Sequence, residues 1–129
     1  MRRLIHSPWF WLTAFAVWFC TLWWLSSQPN PFPSELPFRV NDKLQHFGYF
    51  FGGAGLFSAF LFRLNPAEPH WSRILKLTVL VAALVGALDE HHQSYTIGRS
   101  AHNFPDFTAD VLGAVCGALV FRKVHRVLA

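Results

Sequence analysis

Four apolar runs alternate with short polar segments along the chain. They cover residues 8–25, 44–62, 74–93 and 105–121, the third ending in the polar stretch 89–93. A helix needs roughly 20 mostly apolar residues to cross a bilayer. The pattern therefore predicts an all-α membrane protein: four transmembrane helices in a small bundle, forming one domain over residues 1–129.

Prolines and capping residues mark where these helices begin and end. Four prolines fall within residues 26–40, which predicts a loop. Asn41 or Asp42 is predicted to be the N-cap of the second helix. Pro105 suits the first turn of the fourth helix.

Composition supports a membrane protein. Hydrophobic residues make up 53% of the chain and charged residues 14%, whereas soluble domains carry about 25% charged residues. The net charge of +4 comes from basic residues in short segments between apolar runs, so we predict no nucleic-acid partner. We interpret run 8–25 as a membrane span and not as a cleaved signal peptide, because no small-x-small cleavage site follows it.

The distribution of basic residues predicts the orientation. With both termini in the cytoplasm, eight lysines and arginines lie inside and three lie outside. The positive-inside rule favours that arrangement. The outside three are Arg39, Lys43 and Arg99.

Polar side chains then collect at the predicted outer end of the bundle. Ionisable residues at membrane depth are costly and indicate a functional site. The predicted cluster consists of Asp42, Lys43, His46, Glu90, Gln93, Arg99, Asp106 and Asp110. We expect His91, His92 and His102 to project into the outer loops.

Small residues recur on the helix faces that carry these acids. Gly86 shares a face with Glu90, and Gly113 and Gly117 share one with Asp110. Such residues let membrane helices pack closely. Further packing positions are predicted at Gly48, Gly52 and Gly55, on nearly the opposite face of the second helix from the cluster. The second helix is therefore expected to be central and the first peripheral.

Several short motifs follow one another in this order: Asp42-Lys43-x-x-His46, Glu90-x-x-Gln93, Gly98-Arg99, and Asp106-x-x-x-Asp110-x-x-Gly113-Ala114-x-x-Gly117. Over residues 42–118 the set resembles the VanZ-like family of bacterial membrane proteins. Family members commonly have Asn where this chain has Asp110. The resemblance implies a multi-pass protein of the bacterial cytoplasmic membrane, and the family's namesake is linked to low-level teicoplanin resistance.

Three hypotheses for the cluster remain open. It binds membrane lipid headgroups, a lipid-linked cell-wall precursor or a glycopeptide, with Lys43 and Arg99 contacting anionic oxygens. Alternatively it is a membrane-embedded enzyme site that acts on a lipid-linked substrate, with Glu90, His46 or Asp110 as general acid or base. A metal variant of this hypothesis would use His46, Glu90, Asp106 and Asp110 as ligands. The third hypothesis is a structural clip between helices. An enzyme is not the favoured interpretation, and no cofactor or metal is predicted because a compact metal motif such as His-Glu-x-x-His is lacking.

Overall fold

The structure is a computed structural model that describes residues 1–29, 39–98 and 104–128, apart from the side chains of Arg2 and residues 39–41. Within these ranges its regular elements are helices. The four long ones, α2 to α5, are long and apolar enough to cross a membrane. This confirms the predicted all-α architecture with four candidate membrane spans. The elements are α1 (Arg2–Ile5), α2 (Pro8–Ser26), α3 (Arg39–Leu64), α4 (Trp71–Gln93), α5 (Phe104–Val124) and a 3₁₀ turn (His125–Val127).

The helix boundaries agree with the prediction at some ends and differ at others. α4 ends at Gln93 and α5 has Pro105 in its first turn, both as expected. The N-cap predicted at Asn41 or Asp42 is wrong, because α3 already begins at Arg39. Asp42 lies in the first turn instead, where a carboxylate interacts favourably with the positive end of the helix dipole.

The α3 helix is central in the bundle, as predicted. It packs against α2, α4 and α5, and most extensively against α5. Gly113 and Gly117 of α5 permit this close approach, since a Cβ at either position would overlap the carbonyl oxygen of Phe47 or Phe51. The α2 helix is peripheral, as expected, and only Leu22 and Ser26 of it are buried.

The glycines predicted as packing positions on α3 do not lie at a helix contact. A Cβ at Gly48, Gly52 or Gly55 would meet no atom within 4 Å, so the structure does not place these glycines at a contact between helices of one chain. The rotation of α3 turns another face towards its neighbours. On that face Gly53 lies against the ring of Trp18.

The two ends of the bundle differ in chemistry. The polar end, as we call it, is where α2 and α4 finish and α3 and α5 begin. A buried apolar cluster from all four helices supports it, formed by Leu22, Phe50, Ala54, Ala82, Val85 and Ala114. The opposite end exposes basic side chains, namely Arg3, Arg73, Lys76, Arg122, Lys123 and Arg126.

Candidate functional site at the polar end

Helices α3 and α5 contribute one half of the polar end. Asp42 and His46 are one turn apart on α3 and Asp106 and Asp110 one turn apart on α5, so each pair shares a helix face. Lys43 Nζ pairs with Asp106 Oδ1 and lies 3.4 Å from Asp42 Oδ2. His46 Nδ1 lies 2.8 Å from Asp110 Oδ1. These contacts join the two helices at successive turns.

The second ring nitrogen of His46 faces two more carboxylates. Its Nε2 lies 3.8 Å from Asp42 Oδ1 and 3.8 Å from Asp106 Oδ2. Both distances exceed hydrogen-bonding range. The Asp106 and Asp110 side chains are 4% and 0% exposed and that of His46 is 10% exposed, so these groups meet where little water competes for them.

Helices α2 and α4 contribute the other half, around Asp89. Its carboxylate accepts hydrogen bonds from Ser26 Oγ and from Gln93 Nε2, the latter at 2.9 Å. Asp89 is 1% exposed and Ser26 2% exposed. The predicted cluster included neither Asp89 nor Ser26. The spacing of four residues between Asp89 and Gln93 indicates that their side chains can meet on one helix face. No sequence feature indicates that Ser26, at the end of the first span, bonds to Asp89.

Glu90 links the two halves. It is 5% exposed, and one of its carboxylate oxygens, one of Asp89 and a ring nitrogen of His46 all lie within 4.8 Å of one another. Most of the predicted cluster is therefore brought together at the polar end: Asp42, Lys43, His46, Glu90, Gln93, Asp106 and Asp110. The predicted member Arg99 lies outside the described residues.

Gly86 makes room for Asp110 between α4 and α5. A Cβ at Gly86 would lie 3.1 Å from Asp110 Oδ2, so its predicted packing position does fall at a helix contact. This oxygen accepts no hydrogen bond from any described residue. Asp110 thus presents one bonded and one unbonded oxygen inside the bundle.

A cavity of about 280 Å³ opens beside the cluster, between α2, α3 and α4. Its apolar wall includes Leu22, Tyr49 and Phe50. Its polar wall is formed by carboxylate, amide, imidazole and hydroxyl groups, those of Ser26, Asp42, Gln45, His46, Asp89 and Gln93. Such a combination suits an amphiphilic ligand, because apolar area provides affinity and a few polar groups provide orientation.

The expectation that His92 projects into a loop is wrong. It lies in the last turn of α4, and its ring stacks on Trp23 with 3.8 Å between centroids and 9° between planes. Ser27 Oγ lies 3.3 Å from its Nε2. This stack joins the end of α2 to the end of α4. His91 also lies in the last turn of α4, where its exposed ring contacts that of Tyr95, and His102 lies outside the described residues.

Acidic groups are numerous among the described residues of the polar end. Five carboxylates, two from α4, two from α5 and one from α3, lie there together with Lys43 and His46, and His91 and His92 are in the last turn of α4. Carboxylate oxygens accept hydrogen bonds, so the site can bind hydroxyl and amine groups.

Comparisons with known proteins add no relative. The chain matches no family model, no curated protein and no solved structure. The function is therefore inferred from the geometry of the site and from the sequence motifs.

Proposed function

We propose that this chain is a VanZ-like protein of the bacterial cytoplasmic membrane that binds an amphiphilic ligand at the polar end. The ligand classes are a membrane lipid headgroup, a lipid-linked cell-wall precursor or a glycopeptide such as teicoplanin. The cavity of about 280 Å³ carries the proposal. It offers apolar and polar walls side by side, at the end of a bundle of apolar helices.

The proposed orientation puts both termini in the cytoplasm and the polar end outside. Its support is the excess of basic residues, eight against three, on the side of the termini. In this orientation the cavity opens near the outer leaflet. Lipid-linked precursors and glycopeptides are accessible from that side of the membrane.

The polar residues that line the cavity indicate which chemical groups a bound headgroup would carry. The Asp42 and Asp89 carboxylates and the Gln45 and Gln93 amides accept hydrogen bonds from hydroxyl and amine groups. Lys43, which we expected to contact anionic oxygens, is paired with Asp106 and does not line the cavity. Sugar hydroxyls and amines therefore fit the described wall better than a bare phosphate.

Teicoplanin susceptibility of a sensitive bacterium that expresses the protein tests this function. Gln45→Leu removes a lining amide and, among the described residues, breaks no hydrogen bond. We expect wild type to protect the cells and Gln45→Leu to abolish most of the protection at equal membrane abundance. Asn65→Leu, an amide-to-leucine change at the opposite end of the bundle, is the matched control and should protect like wild type.

A structural clip is the second candidate, because specific contacts favour it. Lys43–Asp106, His46–Asp110 and Ser26–Asp89 each join two helices. If these contacts only hold the bundle together, Asp106→Asn should lower membrane abundance, and Gln45→Leu should change neither abundance nor susceptibility. Unchanged protection by Gln45→Leu would thus count against ligand binding in the cavity.

A further inference from the structure

Three potential metal ligands converge at the polar end without bonding to one another. His46 Nε2, Asp42 Oδ1 and Asp106 Oδ2 face a common space, with 3.8 Å from the nitrogen to each oxygen. One potential ligand atom from each of the three residues lies within 4.8 Å of those of the other two. The His46 side chain is nine-tenths buried, and its Nε2 makes no hydrogen bond with a described residue. A nitrogen and two oxygens so placed form a donor set that could bind a small cation.

The surrounding residues hold each ligand in the orientation that metal binding needs. Asp110 Oδ1 lies 2.8 Å from His46 Nδ1, so a neutral imidazole donates there and keeps its Nε2 lone pair for a metal. A carboxylate behind a histidine ligand is the usual arrangement in protein metal sites. Lys43 Nζ lies by the other oxygen of each aspartate, Asp42 Oδ2 and Asp106 Oδ1, which turns the remaining oxygens towards His46.

We propose that Asp42, His46 and Asp106 bind a divalent first-row transition-metal ion, Zn²⁺ or Mn²⁺, with Asp110 and Lys43 as positioning residues. Ligands at Zn²⁺ distances in a tetrahedral site are about 3.4 Å apart. The two separations of 3.8 Å between His46 Nε2 and the carboxylate oxygens are close to this value. The site goes beyond the proposed ligand-binding function and does not depend on it.

The donor set suits a divalent ion. Imidazole nitrogen and carboxylate oxygen are ligands that Zn²⁺ and Mn²⁺ accept in proteins. Asp42 and His46 also line the cavity, so the bound ion would have open positions on that side.

The test is metal binding by the full-length protein, purified in detergent with its affinity tag removed and stripped of metal by a chelator. Zn²⁺ or Mn²⁺ is added, unbound metal is removed, and bound metal is counted by mass spectrometry alongside the melting temperature. We expect one ion per chain and a higher melting temperature with the ion. Asp42→Asn should lower affinity at least tenfold and keep the fold, because the Asp42 side chain is 40% exposed. Glu68→Gln, which removes an exposed acid at the opposite end, should bind like wild type.

Three results would overturn the proposal. No bound ion would mean that the two 3.8 Å contacts are ion pairs made by a protonated His46. Equal binding by wild type and Asp42→Asn would mean that the metal is adventitious. Binding lost in Asp89→Asn but kept in Asp42→Asn would place the ion at the neighbouring group of His46, Asp89 and Glu90. None of these results depends on teicoplanin, so failure of the metal site and failure of the proposed function are separable.

Discussion

At the scale of single residues, the contact between Lys43 and Asp106 is the most consequential at the polar end. The Asp106 side chain is 4% exposed and that of Lys43 is 26% exposed. Charges removed from water are tolerated only when they are paired, and removing one partner leaves the other uncompensated. The intact pair therefore contributes little net stability, whereas loss of one partner would leave a buried charge uncompensated and would destabilise the bundle.

We expect Lys43→Gln to reduce the free energy of unfolding by about 3 kcal/mol, the low end of the range for a buried pair, since Lys43 keeps some contact with water. Unfolding by sodium dodecyl sulfate in mixed micelles measures the change. The double variant with Asp106→Asn should cost less than the sum of the single variants, because the two residues interact. Lys76→Gln, at an exposed lysine of α4, should change stability little. If the effects of Lys43→Gln and Asp106→Asn on the free energy of unfolding were strictly additive, the two residues would not interact, and the assigned ion pair would be wrong.

At the scale of the helices, the close approach of α3 and α5 decides the position of every group between them. Backbone meets backbone at Gly113 and Gly117, where a side chain would overlap a carbonyl oxygen of α3. Membrane helices gain stability from such packing, because lipid supplies no hydrophobic force between them. The register at these glycines also aligns Asp110 with His46 and Asp106 with Lys43.

Gly113→Ala should therefore destabilise the bundle by about 1–3 kcal/mol, the usual cost of overpacking. The added methyl group would overlap the backbone carbonyl of Phe47, which cannot move aside as a side chain could. Gly52→Ala is the matched control on α3, since its Cβ would meet nothing within 4 Å, and it should be neutral or slightly stabilising. Melting temperatures of both variants in detergent measure the difference. Equal effects at the two positions would rule out the close approach.

At the scale of the whole molecule, the two ends of the bundle carry opposite charge. The polar end is acidic, and the opposite end exposes six lysine and arginine side chains in the described ranges. Basic residues are retained on the cytoplasmic side of membrane proteins. The same asymmetry that sets the proposed orientation directs the cavity outward.

Reporter fusions test this orientation. Alkaline phosphatase, which is active only outside the cytoplasm, should be active when fused after residue 98 and inactive when fused after residue 66. Green fluorescent protein fused to the carboxyl terminus should fluoresce. The reverse pattern would put the polar end in the cytoplasm and exclude the proposed access from the outer leaflet.

The elements and the location of the polar cluster were predictable from the sequence, because they depend on local properties. The length of an apolar run decides whether a helix can span a membrane. Polar residues at the ends of those runs fall at an end of the bundle once the helices alternate in direction. His46, Glu90 and Asp110 could thus be grouped without knowledge of their contacts. The start of α3 at Arg39 escaped prediction because capping signals are weaker than apolar length.

Only the tertiary structure decided which groups meet. Ser26 and Asp89 are far apart in the sequence and bond because the ends of α2 and α4 lie side by side. Gly113 faces a neighbouring backbone and Gly52 does not, although each lies in a similar run of small residues. The rotation and axial shift of each helix determine which residues are in contact. Both depend on the packing of all four helices together. For this reason the sequence determined that a polar site exists at one end, and the fold determined its pairs, its cavity and its candidate metal ligands.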